Sequence, residues 1–119
     1  MEIDEITSAI IQTSIKIHRE LGPGLLESVY ETVLARMLAQ KGLIIERQKP
    51  VSFVYDGIKF DEGFRCDLLV ESKVVVELKS AERLMPVHSK QLLTYLRLMD
   101  KEVGLLINFG AMTLREGLE

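Results

Sequence analysis

The sequence predicts an α/β (α+β) fold, a mixed sheet with helices packed against it. Three features carry that expectation. Apolar residues recur at helical spacing through Gln40, the pattern shifts to strand period between Leu43 and Lys79, and a helical stretch opening at Pro86 leads into a last apolar strand.

The first element, Asp4 to about Leu21, is expected as an amphipathic helix, because Ile3, Ile6, Ile10, Thr13, Ile17 and Leu21 fall three or four apart. Asp4 and Glu5 suit the positive end of its dipole, and His18-Arg19 the negative end. Gly22-Pro23-Gly24 must end it, since proline restricts the residue before it and glycine accepts unusual dihedrals. A second helix is expected from about Leu26 to Gln40. Val29, Val33 and Met37 lie beside Tyr30, Leu34 and Leu38 in one broad stripe, and Gly42 is the stop.

The period then changes. Leu43-Ile44-Ile45 begins a strand, Pro50 marks an edge or bulge, and Val51 to Tyr55 continues it. Asp56-Gly57 signals a hairpin that returns through Ile58-Lys59-Phe60. Phe64 to Val70 and Lys73 to Lys79 read as two further strands around a tight turn near Glu71-Ser72. Val74-Val75-Val76, β-branched on both faces, reads as a central, covered strand. Pro86 opens a third helix with Leu92, Tyr95, Leu96 and Met99 as its buried face, and Val103 to Phe109 is the final strand. The expected order is α-α-β-β-β-β-α-β.

With 119 residues, 47% of them apolar and 28% charged, the chain is expected to form one domain over 1–119 with a core that needs no staples. Fifteen Lys and Arg against 18 Asp and Glu give a net charge of −3. That excludes a protein that holds nucleic acid by bulk positive charge and leaves room for a local basic groove. The single cysteine, Cys66, excludes a disulfide framework and a multi-cysteine zinc site and suits a reducing cytosol, so a cytoplasmic location is expected. No apolar run approaches the roughly 18–20 residues that span a bilayer, and the acidic N-terminus is unlike a signal peptide, so no membrane partner is expected. Leu118-Glu119 has the form of a vector-derived tail, which would leave the natural chain continuing beyond it.

The most informative stretch is Asp67-Leu68-Leu69-Val70 followed by Val76-Glu77-Leu78-Lys79. Glu77 and Lys79 stand two apart on a strand and so share a face. A carboxylate and an ammonium at the end of an apolar strand are costly to bury unless paired or metal-bound. Two neighbouring carboxylates repel, and a divalent cation resolves the repulsion. Register decides whether Asp67 meets Glu77. A two-residue turn at Glu71-Ser72 turns Asp67 away, whereas a three-residue turn or a bulge sets the two opposite each other. A metal site therefore predicts the odd turn or the bulge. Taken alone, the ordinary reading of these charges is a solvated or ion-paired strand end.

Other motifs accompany this one. Gly24-Leu25-Leu26-Glu27-Ser28-Val29-Tyr30 fits G-x-x-E-x-x-Y, with Glu27 and Tyr30 one helical turn apart. Beyond Lys79, His88, Gln91 and Tyr95 stand at helical spacing, followed by Leu106-Ile107-Asn108-Phe109-Gly110. With these motifs in this order, over roughly residues 5 to 117, the sequence resembles the GxxExxY family of the PD-(D/E)XK nuclease-like superfamily. The resemblance implies an α-β-β-β-α-β core, preceded by an extra N-terminal helix, with a Mg²⁺ or Mn²⁺ site at one edge of the central sheet. It assigns the metal to Glu27, Asp67 and Glu77, with the Leu78 carbonyl as a further ligand. Lys79 matches the motif lysine, and Gln91 with Tyr95 matches the following helix. Hard carboxylate oxygens suit Mg²⁺. Lys79 could orient a water or stabilise charge on a phosphorane, and Gln91 could position a water or a phosphate oxygen. One departure is that Cys66, not proline, precedes Asp67.

Each site residue also has an ordinary reading. Glu27 is an acid in a helix's first turn, Tyr30 a core aromatic with a bonded hydroxyl, His88 an exposed first-turn histidine, and Gln91 a surface residue. Tyr95 packs, Cys66 is a small buried apolar residue, and Gly24 serves backbone geometry. Arg65 and Arg83 flank the motif strands as surface cations or phosphate contacts.

The leading expectation is a metal-dependent nuclease, hydrolysing phosphodiesters in DNA ahead of RNA and using no organic cofactor. The alternative is a nuclease-fold binding or scaffold protein without turnover, favoured by small size and acidic charge. Lys73, Lys79, Arg83, Lys90 and Arg97 could form a basic rim for nucleic acid. An exposed edge strand from Leu43 to Tyr55 leaves a homodimer open.

Overall fold

The computed structural model describes residues 1–114, so Leu118-Glu119 lie outside the described residues. The elements are α1 (Ile3–Leu21), α2 (Glu27–Gln40), β1 (Ile45–Tyr55), β2 (Ile58–Val70), β3 (Val74–Lys79), α3 (Pro86–Met99) and β4 (Val103–Asn108). One strand fewer precedes α3 than expected, because Ile58-Lys59-Phe60 and Phe64 to Val70 are parts of one continuous β2. The polar run Asp61-Glu62-Gly63 looks like a break in sequence. It is a bulge rather than a turn: Val51 pairs with Phe64 and Phe53 with Phe60, so these three residues stand against Ser52 alone and β2 runs on through them.

The sheet order is β1-β2-β3-β4, antiparallel between β1, β2 and β3 and parallel between β3 and β4. The parallel step needs a crossover, which α3 supplies. Ile6, Ile10, Ile17, Tyr30, Leu34 and Leu38 of α1 and α2 pack on Leu68, Val70, Val74, Val76, Leu78 and Ile107. On the opposite face, Leu92 of α3 packs on Val51, Cys66, Leu69, Val75 and Leu106. Val74, Val75 and Val76 are fully buried, because helices cover both faces of β3.

Two expected helix faces shift. On α2 the buried residues are Tyr30, Glu31, Leu34, Ala35 and Leu38, while Val29 is exposed, so the apolar stripe is rotated towards Glu31. On α3 only Leu92 is fully buried, with Tyr95, Leu96 and Met99 half-buried. A single helix over this sheet face leaves its flanks open to solvent.

The Asp56-Gly57 turn has φ of 51° and 75°, the left-handed pair that a two-residue hairpin requires. Beyond Val51 and Phe64 the β1–β2 ribbon runs out from the body. There Val54, Tyr55, Ile58 and Phe60 are exposed and Phe53 stacks on Phe60.

Candidate active site

The site sits where β2 and β3 part. Their ladder pairs Val70 with Val74, Leu69 with Val75 and Leu68 with Val76. That pairing leaves Glu71, Ser72 and Lys73 as a three-residue turn, the geometry required to set Asp67 opposite Glu77. Glu71 and Ser72 each take a φ of 54°, and the Lys73 N–H donates to the Val70 carbonyl at 3.0 Å.

At Asp67 the ladder stops and side chains take over its hydrogen bonds. The Asp67 N–H donates to Glu77 Oε2 at 2.9 Å, and the Leu78 N–H donates to Asp67 Oδ2 at 2.9 Å. The in–out alternation of β2 also reverses here. Leu68 and Val70 face α1 and α2, yet Cys66 joins Phe64 and Leu69 on the α3 face. Opposite Asp67, Gln48 of β1 has a φ of 47°, and pairing resumes in register with Lys49 and Cys66. A left-handed non-glycine residue costs about 1–2 kcal/mol. The Gln48 side chain stands between two carboxylates, Glu31 and Asp67.

Glu77 is only 4% exposed. Burial and the adjacent Asp67 carboxylate push its pKa up to about 8, with the Asp67 N–H and the Lys79 ammonium partly offsetting them. Burial also raises the Asp67 pKa, against the opposing pull of the Leu78 N–H and Gln48 bonds. Among the described residues, neither acid has an ion pair within 4.0 Å, and Lys79 has none either. Lys79 is half-buried on the Glu77 face of β3. A buried and a half-buried carboxylate, held together and, among the described residues, without an ion-paired cation, offer hard oxygen donors that suit a small divalent cation.

The remaining predicted residues divide. Glu27, the first residue of α2, is exposed, and its charge reaches Glu77. Among the described residues no three His, Cys, Asp or Glu side chains converge to hold a metal ion, so Glu27 does not complete a three-carboxylate cluster with Asp67 and Glu77. The Leu78 side chain is in the core, while its N–H points into the gap between β2 and β3. Tyr95 stacks on Phe64 with centroids 4.0 Å apart, and burial and the nearby Glu77 charge raise its pKa. Gln91 is exposed on α3. His88 turns back to its own helix, where Nδ1 accepts the Met85 N–H at 3.0 Å. Burial raises the Cys66 thiol to about 12, so it stays neutral, as a core residue should.

Tyr30 belongs to the scaffold. Its Oη donates to the Gly22 carbonyl at 2.6 Å and accepts the Leu25 N–H at 3.1 Å, and its ring stacks on Phe109 at 4.5 Å. Ser80 Oγ donates to the Leu25 carbonyl at 2.5 Å. The buried Asn108 carboxamide grips both the N–H and the carbonyl of Ala81, at 3.0 and 2.9 Å. A Cβ at Gly110 would collide with the Ala81 backbone. The G-x-x-E-x-x-Y and Asn-Phe-Gly segments thus brace the loop that leaves Lys79, between α2 and β4. A cavity of about 360 Å³ lies there, walled by Gly24, Glu27, Ser80 and Glu82. A larger one of about 480 Å³, beside Glu46, Lys49, Met99 and Lys101, contains none of the paired acids.

Of the expected basic rim, Lys73 lies at the other end of β3, bonded to the Met1 carbonyl at 2.7 Å, and Arg97 is in the last turn of α3. Lys79, Arg83 and Lys90 remain towards the site end by their place in the chain. Arg65 is tied to Glu62.

Two residues escaped the sequence reading. Glu31 is 7% exposed and accepts from Arg47 Nε at 3.2 Å and from Arg47 Nη2 at 3.0 Å. Gln48 Nε2 donates to Glu31 Oε1 at 2.5 Å and to Asp67 Oδ1 at 3.1 Å. The one signal for Glu31 is its place next to Tyr30, four residues after Glu27. Gln48, inside Arg47-Gln48-Lys49, carries none.

A family model described as the PD-(D/E)XK nuclease superfamily matches residues 4–119. No curated protein and no solved structure matches the chain.

Proposed function

The chain belongs to the PD-(D/E)XK nuclease superfamily, and from that premise we propose that it is a metal-dependent nuclease of the GxxExxY group, folded as one domain. The observation that carries the reading is the pair of backbone bonds that sets the acids together, Asp67 N–H to Glu77 Oε2 and Leu78 N–H to Asp67 Oδ2. Glu77 is buried, Asp67 half-buried, Lys79 lies on the Glu77 face and, among the described residues, no cation is paired to either acid. The G-x-x-E-x-x-Y segment supports the narrower group.

In this reading Asp67 and Glu77 hold Mg²⁺ or Mn²⁺. Mg²⁺ commonly takes one or two protein carboxylates and completes its shell with water and substrate phosphate, so two acids suffice. In a strand the N–H and carbonyl of one residue point to the same edge, so the Leu78 carbonyl also faces the gap as a third oxygen. Glu27 acts from the α2 terminus, through its charge or through a bridging water. The bound ion supplies an activated water and offsets phosphate charge. Lys79 brings a cation to the face where a scissile phosphate would develop negative charge, and Gln91 offers a neutral donor and acceptor to a water or phosphate oxygen. Tyr95 and His88 support α3 at the rim. The substrate is nucleic acid, DNA ahead of RNA.

A binding protein without turnover is the second reading, favoured by the few cations left near the site once Lys73, Arg65 and Arg97 are placed elsewhere. Cleavage of single- and double-stranded DNA and RNA with Mn²⁺, Mg²⁺ or EDTA separates the two. Wild type should cut only with metal, and Glu77→Ala should fall to background. Lys79→Ala should lose about 10²–10³-fold. Cleavage that survives both substitutions overturns the assignment.

A further inference from the structure

We infer that Gln48 is a positioning residue, whose carboxamide spans Glu31 and Asp67 and fixes the plane of the Asp67 carboxylate. The inference rests on the metal-site reading above and adds a member that no motif contains. A carboxylate's last torsion is soft, with a broad range of orientations. One hydrogen bond leaves it free to pivot, whereas one bond to each oxygen fixes its plane. Asp67 has both, from the Leu78 N–H to Oδ2 and from Gln48 Nε2 to Oδ1.

The rest of the arrangement serves that second bond. Nε2 has two hydrogens, and Glu31 Oε1 accepts the other at 2.5 Å, which aims the amide. Arg47 offsets the Glu31 charge through two bonds to Oε2. The chain Arg47–Glu31–Gln48–Asp67 therefore ends in a neutral donor. Neutrality matters at this point. A lysine here would hold Asp67 equally well but would place a positive charge beside the cation's ligand, whereas an amide orients the carboxylate and leaves its charge for the ion.

Backbone geometry argues the same way. Gln48 holds a φ of 47°, a conformation in which glycine or asparagine is less strained. A merely structural role would be met with less strain by either. The side chain here reaches across both carboxylates, which asparagine, one methylene shorter, cannot do.

Gln48→Gly and Gln48→Asn test this, with Mn²⁺ affinity measured by calorimetric titration and metal-free thermal stability measured alongside. Both variants relieve the backbone, so their melting temperatures should stay close to wild type. Mn²⁺ should bind roughly 10–100-fold more weakly, the usual loss when a partner of a metal ligand is removed. Wild-type affinity in both folded variants overturns the inference while leaving the metal site standing. So does a loss of stability without a loss of affinity. A wild-type protein that binds no Mn²⁺, or binds it equally well as Glu77→Ala, overturns the metal reading and this inference with it.

Discussion

The two ends of the β2–β3 pair are made from the same strands and behave in opposite ways. At Val70 and Val74 the backbones pair, both faces are apolar, and every side chain is buried. Three residues further on, at Asp67 and Glu77, the backbones separate and carboxylates occupy the places of carbonyls. The first end contributes to stability, since branched chains between two helical layers remove apolar surface from water. The second works against it, since two acids are drawn out of water beside each other. Strand pairing is thus carried as far as the fold needs it and given up where a polar pocket is wanted.

Substitutions at the two ends should sort accordingly. Val76→Ala removes packing between α1, α2 and the sheet and should cost about 2–3 kcal/mol of stability, with little change in the Mn²⁺ affinity of the folded protein. Chemical denaturation combined with metal titration measures both. A variant at Val76 that loses affinity and keeps its stability would erase the distinction between the ends.

The charged end should reveal itself through pH. The Glu77 carboxyl has an ordinary value of 4.5 and rises to about 8 in the fold. Between those values the folded chain keeps a proton that the unfolded chain has released. Its contribution to stability is therefore fully present below about 4.5, declines as pH rises, and levels off above about 8. Glu77→Gln removes this slope, so without metal the variant should gain on wild type steadily from pH 5 to 8. Melting temperatures in EDTA at several pH values check it, and parallel curves for the two proteins would refute it.

The smallest effect is expected at Tyr30→Phe. That change deletes the hydroxyl held by Gly22 and Leu25 and should cost about 1–2 kcal/mol, while metal affinity stays near wild type. A large fall in affinity without loss of stability would move Tyr30 from the scaffold into the site.

Much of this molecule was legible before its structure. The i, i+3, i+4 stripe of α1, the Gly22-Pro23-Gly24 stop, Pro86 at the start of α3 and the covered Val74-Val75-Val76 are local patterns, and local patterns survive folding. The continuity of β2 through Asp61-Glu62-Gly63 was not legible, because a ribbon exposed on both faces has no apolar period to read. The rotation of α2 towards Glu31 was hidden as well, since a buried acid contradicts the pattern unless its partners are known.

The candidate site divides along the same line. Residue type and order alone single out Asp67, Glu77 and Lys79, because a carboxylate, a carboxylate-x-lysine pair and an apolar strand form a combination with chemical meaning. Whether the two acids meet depends on a single residue in the 71–73 turn, and a turn's length is settled by how the strands pack. That Gln48 reaches Asp67 while Glu27 stays at the surface depends on α2 and β1 being brought across the sheet. Sequence determined which groups this chain has to offer and along which strands and helices they lie. Tertiary structure alone decided which of them touch, because contact between distant segments is set by packing and register rather than by any neighbour in the chain.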